Sequence, residues 1–274
     1  MLEKTKSRSA KSPALITINW NKISKSYIFF YKGVIHMSKK VIVDQTLFDI
    51  FPEAQVYYFT VKNMDNKQNS DNLLTSENML KDAKKEAKKY ITDDNFSNNE
   101  VVAEWRNIYS KFKKKKGARS SIEAMLKRVK QDRDFNPINP LVDIYNSVSL
   151  SYGVPCGSED IDKIDGDMHL GVTKGNDEFW PLGSDKNEPT LEGEVCYYDE
   201  SGAICRCWNW REAQRTMLTE DTNNAVVVIE SALESQKENS EKAINALHDL
   251  IEKNITGDVS EVVILNKDNK ENTL

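Results

Sequence analysis

The sequence predicts an α+β fold. Helix-period apolar stripes crowd the first half of the chain, and runs rich in β-branched and aromatic residues crowd the second. Strands and helices do not alternate as a doubly wound parallel sheet would require, so segregated elements are the better class. The 274 residues suit one large domain or a domain with extensions, and no internal repeat is evident.

The first 36 residues do not match the rest. They are basic (Lys4, Lys6, Arg8, Lys11), almost free of acids, and contain the short apolar run Ile28 to Tyr31. A targeting segment is one reading. The preferred one is an over-extended start: a purine-rich stretch resembling a bacterial ribosome-binding site can encode Lys32-Gly33-Val34, just before Met37. On this reading residues 1–36 are disordered or without function, residues 37–266 form a single domain with an N-terminal helical part, and residues 267–274 are a polar tail.

Val41 to Val43 reads as a strand, and Leu47 to Phe51 as one helical turn stopped by Pro52. Ala54 to Lys62 (AQVYYFTVK) has strand composition. A polar loop, Asn63 to Asn72, precedes a charged helix from Met79 to Tyr90. A second helix, Val101 to Phe112, carries Val101, Trp105, Ile108 and Phe112 on one side. After Lys113 to Lys116 and Gly117, Ser120 or Ser121 caps a third, whose stripe is Ile122, Met125, Leu126 and Val129.

Pro137 and Pro140 bar a helix before Leu141, after which Leu141, Ile144, Val148 and Tyr152 form one stripe until Gly153 and Pro155 end it. Asp143, Asn146 and Ser149 recur every three residues along this helix. They face solvent or, if buried, need partners. A tight loop, Cys156 to Asp160, follows. Strand candidates come next at Met168–Val172, Val195–Tyr198, Ala203–Trp208 and Ala225–Glu230. A helix from Ser240 to Asn254 and a strand at Val262–Leu265 finish the domain.

The net charge of −5 gives no global field to attract nucleic acid, so an RNA partner requires a local patch. The densest one is Lys113, Lys114, Lys115 and Lys116, placed to hold an RNA backbone or to serve as a surface hinge. Arg119 lies just before a helix start, where an anion is favoured. No apolar run approaches the roughly 20 residues that span a bilayer. The four cysteines are read as reduced and cytosolic, since no secretory signal is visible. Cys205-x-Cys207 with Cys196 lacks a Cys-x-x-Cys pair and a neighbouring histidine, so neither a metal nor another cofactor is expected.

In Cys205 to Arg211 (CRCWNWR), strand alternation puts Cys205, Cys207 and Asn209 on one side and Arg206, Trp208 and Trp210 on the other. An arginine beside two indoles suits a base, an aromatic amino acid or a carboxylate, and equally a core strand with a snorkelling arginine. Glu230 ends the apolar run Val226 to Ile229, which suits a ligand, a water-orienting carboxylate or a solvated strand end.

The run Asn139-Pro140-Leu141-Val142-Asp143-Ile144-Tyr145-Asn146, followed by Ser149-Leu150 and Pro155-Cys156-Gly157, resembles the tRNA-editing (B3/B4) domain of the phenylalanyl-tRNA synthetase beta subunit. The similarity is closer to its free-standing bacterial relatives, which share Arg119-Ser120-Ser121-Ile122-Glu123, the pair Gly193-Glu194 and the Arg206 to Arg211 run. It covers roughly Glu104 to Ala232. The resemblance implies a three-layer α/β fold with a β-sandwich of unusual topology. It also implies an RNA-binding protein that hydrolyses the ester of mischarged aminoacyl-tRNA, with the tRNA acceptor end as partner and the cytoplasm as location. It implies no ligase parts and no DNA or membrane partner, and leaves the oligomeric state open. The alternative is a non-catalytic pocket protein for an amino acid, a nucleotide or a tRNA end.

The match puts Glu230 on the editing-site glutamate and Gly157 where the synthetase has a histidine; Cys205 to Trp210 replaces a glycine-rich segment, which narrows the pocket. Glu230 or Asp143 then holds the substrate ammonium or orients water. Asn146, Ser149 and N–H groups near Gly157 stabilise the oxyanion. Trp208 or Trp210 stacks on the terminal adenine, with Arg119, Arg206 and Asn209 completing the substrate site.

Overall fold

The computed structural model describes residues 29–31, 34–36 and 38–274, and the chain divides into the units Met1–Ser38 and Lys39–Leu274. In the first unit β1 (Phe29–Tyr31) and β2 (Val34–His36) pair antiparallel. The expectations for residues 1–36 otherwise fall outside the described residues.

The second unit runs β3 (Lys40–Val43), α1 (Gln45–Ile50), β4 (Gln55–Lys62), α2 (Ser70–Glu86), α3 (Glu100–Ser110), α4 (Ser121–Lys130), α5 (Pro140–Tyr152), β5 (Cys156–Asp160), β6 (Met168–Val172), β7 (Val195–Asp199), β8 (Gly202–Arg206), β9 (Arg211–Glu212), β10 (Ala225–Ser231), α6 (Glu234–Asn254), β11 (Asp258–Val259), β12 (Val263–Leu265) and β13 (Glu271–Thr273). Two sheets form. The first is antiparallel, in the order β11-β4-β10-β5, with β12 also on β4; the second runs β13-β3-β6-β7-β8-β9, with β3 and β6 parallel.

Strands β4 and β10 are buried on both faces, which is why they read as unbroken apolar runs. Tyr57, Phe59, Val227 and Ile229 pack with Ile144 and Val148 of α5 and Ala243 and Leu247 of α6. The opposite parity, Val56, Tyr58, Val226 and Val228, packs on Val43, Leu170, Val195 and Ile204 of the second sheet. The layers are therefore helices, first sheet and second sheet, an α+β fold containing a β-sandwich.

The central helix forms as its sequence dictates. The Asn139 side chain accepts the Val142 N–H, Pro140 occupies the first turn, and Gly153 closes α5 at φ +67°, a conformation that favours glycine. Three segments differ from expectation. Cys156–Asp160 is a strand, not a loop: β10 pairs with it, which outweighs the poor strand propensity of Cys-Gly-Ser-Glu-Asp. Helix α2 begins at Ser70, inside the expected polar loop, because Asn69 and Asn72 cap it reciprocally. Residues 267–274, expected as a tail, include β13 on the edge of the second sheet.

Candidate active site

Register places the site. Val228 lies opposite Gly157 and Val226 opposite Glu159, so Gly157, Glu159, Val226, Val228 and Glu230 share the face turned to the second sheet. Across from them, Tyr197 pairs with Cys205 and Cys205 with Glu212, a row on one face of β7, β8 and β9. Between these rows lies a cavity of about 420 Å³. Ser121 and Met125 of α4, Tyr145 and Asn146 of α5, and Trp208 to Glu212 complete its wall.

Glu230 is 2% exposed. Its Oε1 accepts the Tyr197 hydroxyl at 2.8 Å, and its Oε2 is buried with no partner in the chain. Burial pushes the carboxyl up to about 7, although the Tyr197 hydroxyl and the nearby Asn209 side chain pull the other way. Tyr109 donates to Asn209 Oδ1 at 3.0 Å and so fixes the amide, leaving Nδ2 buried and unpartnered. Trp208 Nε1 and Ser121 Oγ, also on the cavity wall, are buried without partners too. Unsatisfied buried polar groups are costly. Four such atoms, Glu230 Oε2, Asn209 Nδ2, Trp208 Nε1 and Ser121 Oγ, belong to residues of this one wall.

The turn carrying Trp208 and Asn209 is held from behind. Strand β8 ends at Arg206, and Cys207 and Trp208 adopt left-handed φ of +48° and +69°. Glu194, fully buried, accepts Arg206 Nε at 2.9 Å, Arg206 Nη2 at 2.6 Å, and the Cys207 N–H and Sγ at 3.0 Å each. Burial raises the Glu194 carboxyl, but Arg206, Cys207 and the Leu191 N–H together hold it below the usual range. Such a backbone persists only when its surroundings fix it.

This geometry sorts the residues expected from sequence. Glu230, Asn146, Gly157, Trp208, Asn209 and Trp210 meet at the cavity. Arg206 does not: it stays on the side of β8 opposite Cys205, as alternation requires, and points at Glu194, with Phe179 under its guanidinium at 5.7 Å, while the left-handed turn after it carries Trp208 and Trp210 to the cavity. Asp143 Oδ1 accepts the Ile138 N–H at 2.8 Å and ties down the turn before α5. Ser149 Oγ donates to the Val154 carbonyl at 2.6 Å, beyond the helix end. Three-residue spacing rotates about 60° per step around a helix, so Asn146 can face the cavity while Asp143 and Ser149 do not. Trp208 is fully buried against Phe51 (5.1 Å) and Trp105 (5.9 Å), which leaves half-buried Trp210 as the ring nearer solvent.

Arg119 lines a separate cleft with Arg106, Lys114 and Glu123. Of the four lysines, Lys114 Nζ donates to the Tyr109 carbonyl at 2.7 Å and Lys115 pairs with Glu188, whereas Lys113 and Lys116 are exposed. This loop runs into α4, whose Ser121 N–H donates to the Asn209 carbonyl at 3.1 Å. The basic segment thus joins the cavity wall directly. The cysteines are all free, and burial pushes their thiols up.

Sequence reasoning missed Glu159, Glu212, Tyr197 and Ser121. Glu159 was hidden because its strand read as a loop, and Glu212 because β9 is two residues long. Reading 156–160 as a strand would have set Gly157 and Glu159 beside Glu230 on one face.

None of the curated proteins matches the sequence. Among solved structures, an N-terminal fragment of the phenylalanyl-tRNA synthetase beta subunit from Pyrococcus horikoshii is similar, at 14% identity and a TM-score of 0.46. The similarity covers 86% of this chain and 53% of that one, so this chain spans about half the fragment's length. The family profile described as the B3/4 domain matches residues 104–259, which is more than half of the chain and includes the cavity from Ser121 to Glu230. The chain is a member of the B3/4 domain family.

Proposed function

We propose that the protein hydrolyses the ester of mischarged aminoacyl-tRNA in trans, with the cavity holding the aminoacyl group. One observation carries this reading: Glu230, Asn209 and Trp208 all line the cavity, and each holds a buried polar atom without a partner, Oε2, Nδ2 and Nε1 respectively. An aminoacyl ester is already activated, so its hydrolysis needs a positioned water and a stabilised oxyanion more than a protein nucleophile. Glu230 is the base that orients and deprotonates water; a carboxyl raised to about 7 suits proton transfer near neutral pH. Asn209 Nδ2 and Trp208 Nε1 donate to the carbonyl oxygen as it gains charge. Membership of the B3/4 family supports the acceptor end of tRNA as the carrier, with Trp210 and the Lys113–Lys116 loop on its approach. This substrate and the free cysteines support action in the cytoplasm.

The test is deacylation of a panel of mischarged tRNAs by the full-length protein and by Glu230→Gln. Turnover of at least one aminoacyl-tRNA, reduced about a hundredfold or more in the variant, is the expected result. Absence of turnover across the panel by folded protein overturns the reading in favour of a non-catalytic amino-acid or nucleotide pocket. Gly157, standing where the synthetase domain has a histidine, favours that second reading.

A further inference from the structure

The cavity holds more carboxyl groups than ester hydrolysis needs. Besides Glu230, Glu159 and Glu212 line it. Glu159 is 8% exposed, and its buried Oε2 makes no hydrogen bond of normal geometry, although the Thr216 hydroxyl is near enough to pull the carboxyl down. Of the nearby cations, Arg215 pairs with Asp199 at 2.7 Å and Arg206 with Glu194, while Arg211, itself on the cavity wall, lies over the Trp210 ring. Burial pushes both the Glu159 and Glu212 carboxyls up, and the Glu212 charge adds to the effect at Glu159.

The three carboxylates are spread along the cavity. Glu159 pairs with Val226, four residues along β10 from Glu230, which separates the two backbones by roughly 13 Å along the strand. In the opposite sheet, Glu212 stands two strands from Tyr197, the partner of Glu230, roughly 10 Å away. Gly157 lies between Glu159 and Glu230 and leaves the floor open. Among the described residues, the one group close enough to share a metal ion is His248, Asp249 and Glu252, none of which lines the cavity. The arrangement fits an elongated organic cation better than an ion.

We propose that the cavity selects aminoacyl groups with a positively charged side chain of the lysine or ornithine type, the ester at Glu230, Asn209 and Trp208, and the side-chain cation between Glu159 and Glu212. A lysine stem spans about 6 Å from Cα to its nitrogen, which suits the gap left once the glutamate side chains extend into the cavity. Met125, Val228 and Tyr145 supply apolar walls for the methylenes. The inference takes its reaction from the ester-hydrolase reading but its ligand from the cavity alone.

The experiment compares tRNAs charged with lysine, ornithine, norleucine and tyrosine as substrates of the full-length protein. Norleucine matches most of the lysine stem without the charge. Lysyl or ornithyl turnover about tenfold or more above norleucyl is expected, with the ratio falling toward one in the Glu159→Gln/Glu212→Gln variant. Norleucyl or tyrosyl turnover equal to or faster than lysyl overturns the charge selection while leaving an ester hydrolase; the wild-type ratio decides this even if the variant does not fold. If no ester is cleaved, the hydrolase reading fails and calorimetric titration with lysinamide and norleucinamide decides the ligand. Binding of lysinamide about tenfold tighter upholds the proposal, and equal or absent binding overturns it.

Discussion

At the scale of the residue, Glu230 ties the proposed function to stability. Its carboxyl is raised from 4.5 to about 7 in the folded protein, so the folded state holds a proton that the unfolded chain has released. The stability linked to that proton is fully present below the unfolded value and is lost as pH rises through about 7. At one pKa unit per 1.36 kcal/mol, the loss above this window is about 3 kcal/mol. Gln has no charge to desolvate. Glu230→Gln is therefore expected to stabilise the protein by about 1–3 kcal/mol at pH 8 and by much less at pH 5, read as thermal unfolding at both pH values. The same substitution removes the proposed base. In the unsubstituted protein kcat/KM should rise with pH and level off above about 7, and the variant should lack this rise. A Glu230 that is structural only would gain nothing from staying ionisable, and its replacement would leave the pH profile of turnover intact.

At the scale of the element, the turn after β8 shows what holds the cavity wall in place. Glu194 and Arg206 are both essentially excluded from solvent, and the carboxylate also secures the Cys207 N–H within the left-handed turn. Removing one partner of a buried ion pair strands the other, at a cost of about 3–5 kcal/mol. Glu194→Gln is thus expected to lower the midpoint of thermal unfolding by roughly 10 °C. Arg206→Met added to Glu194→Leu should recover part of this, because no charge is then left unpaired. An undiminished midpoint for Glu194→Gln would show that the turn is held by other contacts. This element also marks where sequence stops being legible. The helix stripes, the cap at Asn139 and the glycine stop at Gly153 are local signals, and α5 follows from them. Glu230 at the end of an apolar strand was legible for the same reason. Arg206 and Glu159 were not, because their places depend on contacts remote in sequence. A carboxylate 12 residues upstream holds Arg206 and the turn that carries the indoles away from it, and pairing with β10 some 70 residues downstream makes a strand of Cys-Gly-Ser-Glu-Asp.

At the scale of the whole molecule, the proposed function raises the question of how a chain of net charge −5 would meet a polyanion. Long-range attraction is unfavourable, so binding must come from phosphate contacts within a Debye length of about 8–10 Å. The Lys113–Lys116 loop leads into the cavity wall through α4, but its four lysines are not equivalent. Lys115 is tied to Glu188, whose carbonyl in turn accepts Arg206 Nη1 at 2.7 Å, and Lys114 closes onto the Tyr109 carbonyl. These two belong to the scaffold behind the turn. Lys113 and Lys116 point their charge to solvent. Substituting Lys113 and Lys116 by Ala should weaken binding of any tRNA alike and reduce the slope of log affinity against log salt by about two, one for each phosphate that is no longer neutralised. Unfolding should be unaffected within about 0.5 kcal/mol. Substituting Lys114 and Lys115 should instead lower stability and disturb turnover through the turn, with a smaller change in salt slope. Filter binding across a salt series, beside thermal unfolding of both double variants, separates the two pairs. Equal salt slopes for both would mean that the loop acts as diffuse charge, and an unchanged slope in both would place the RNA-binding surface on another face.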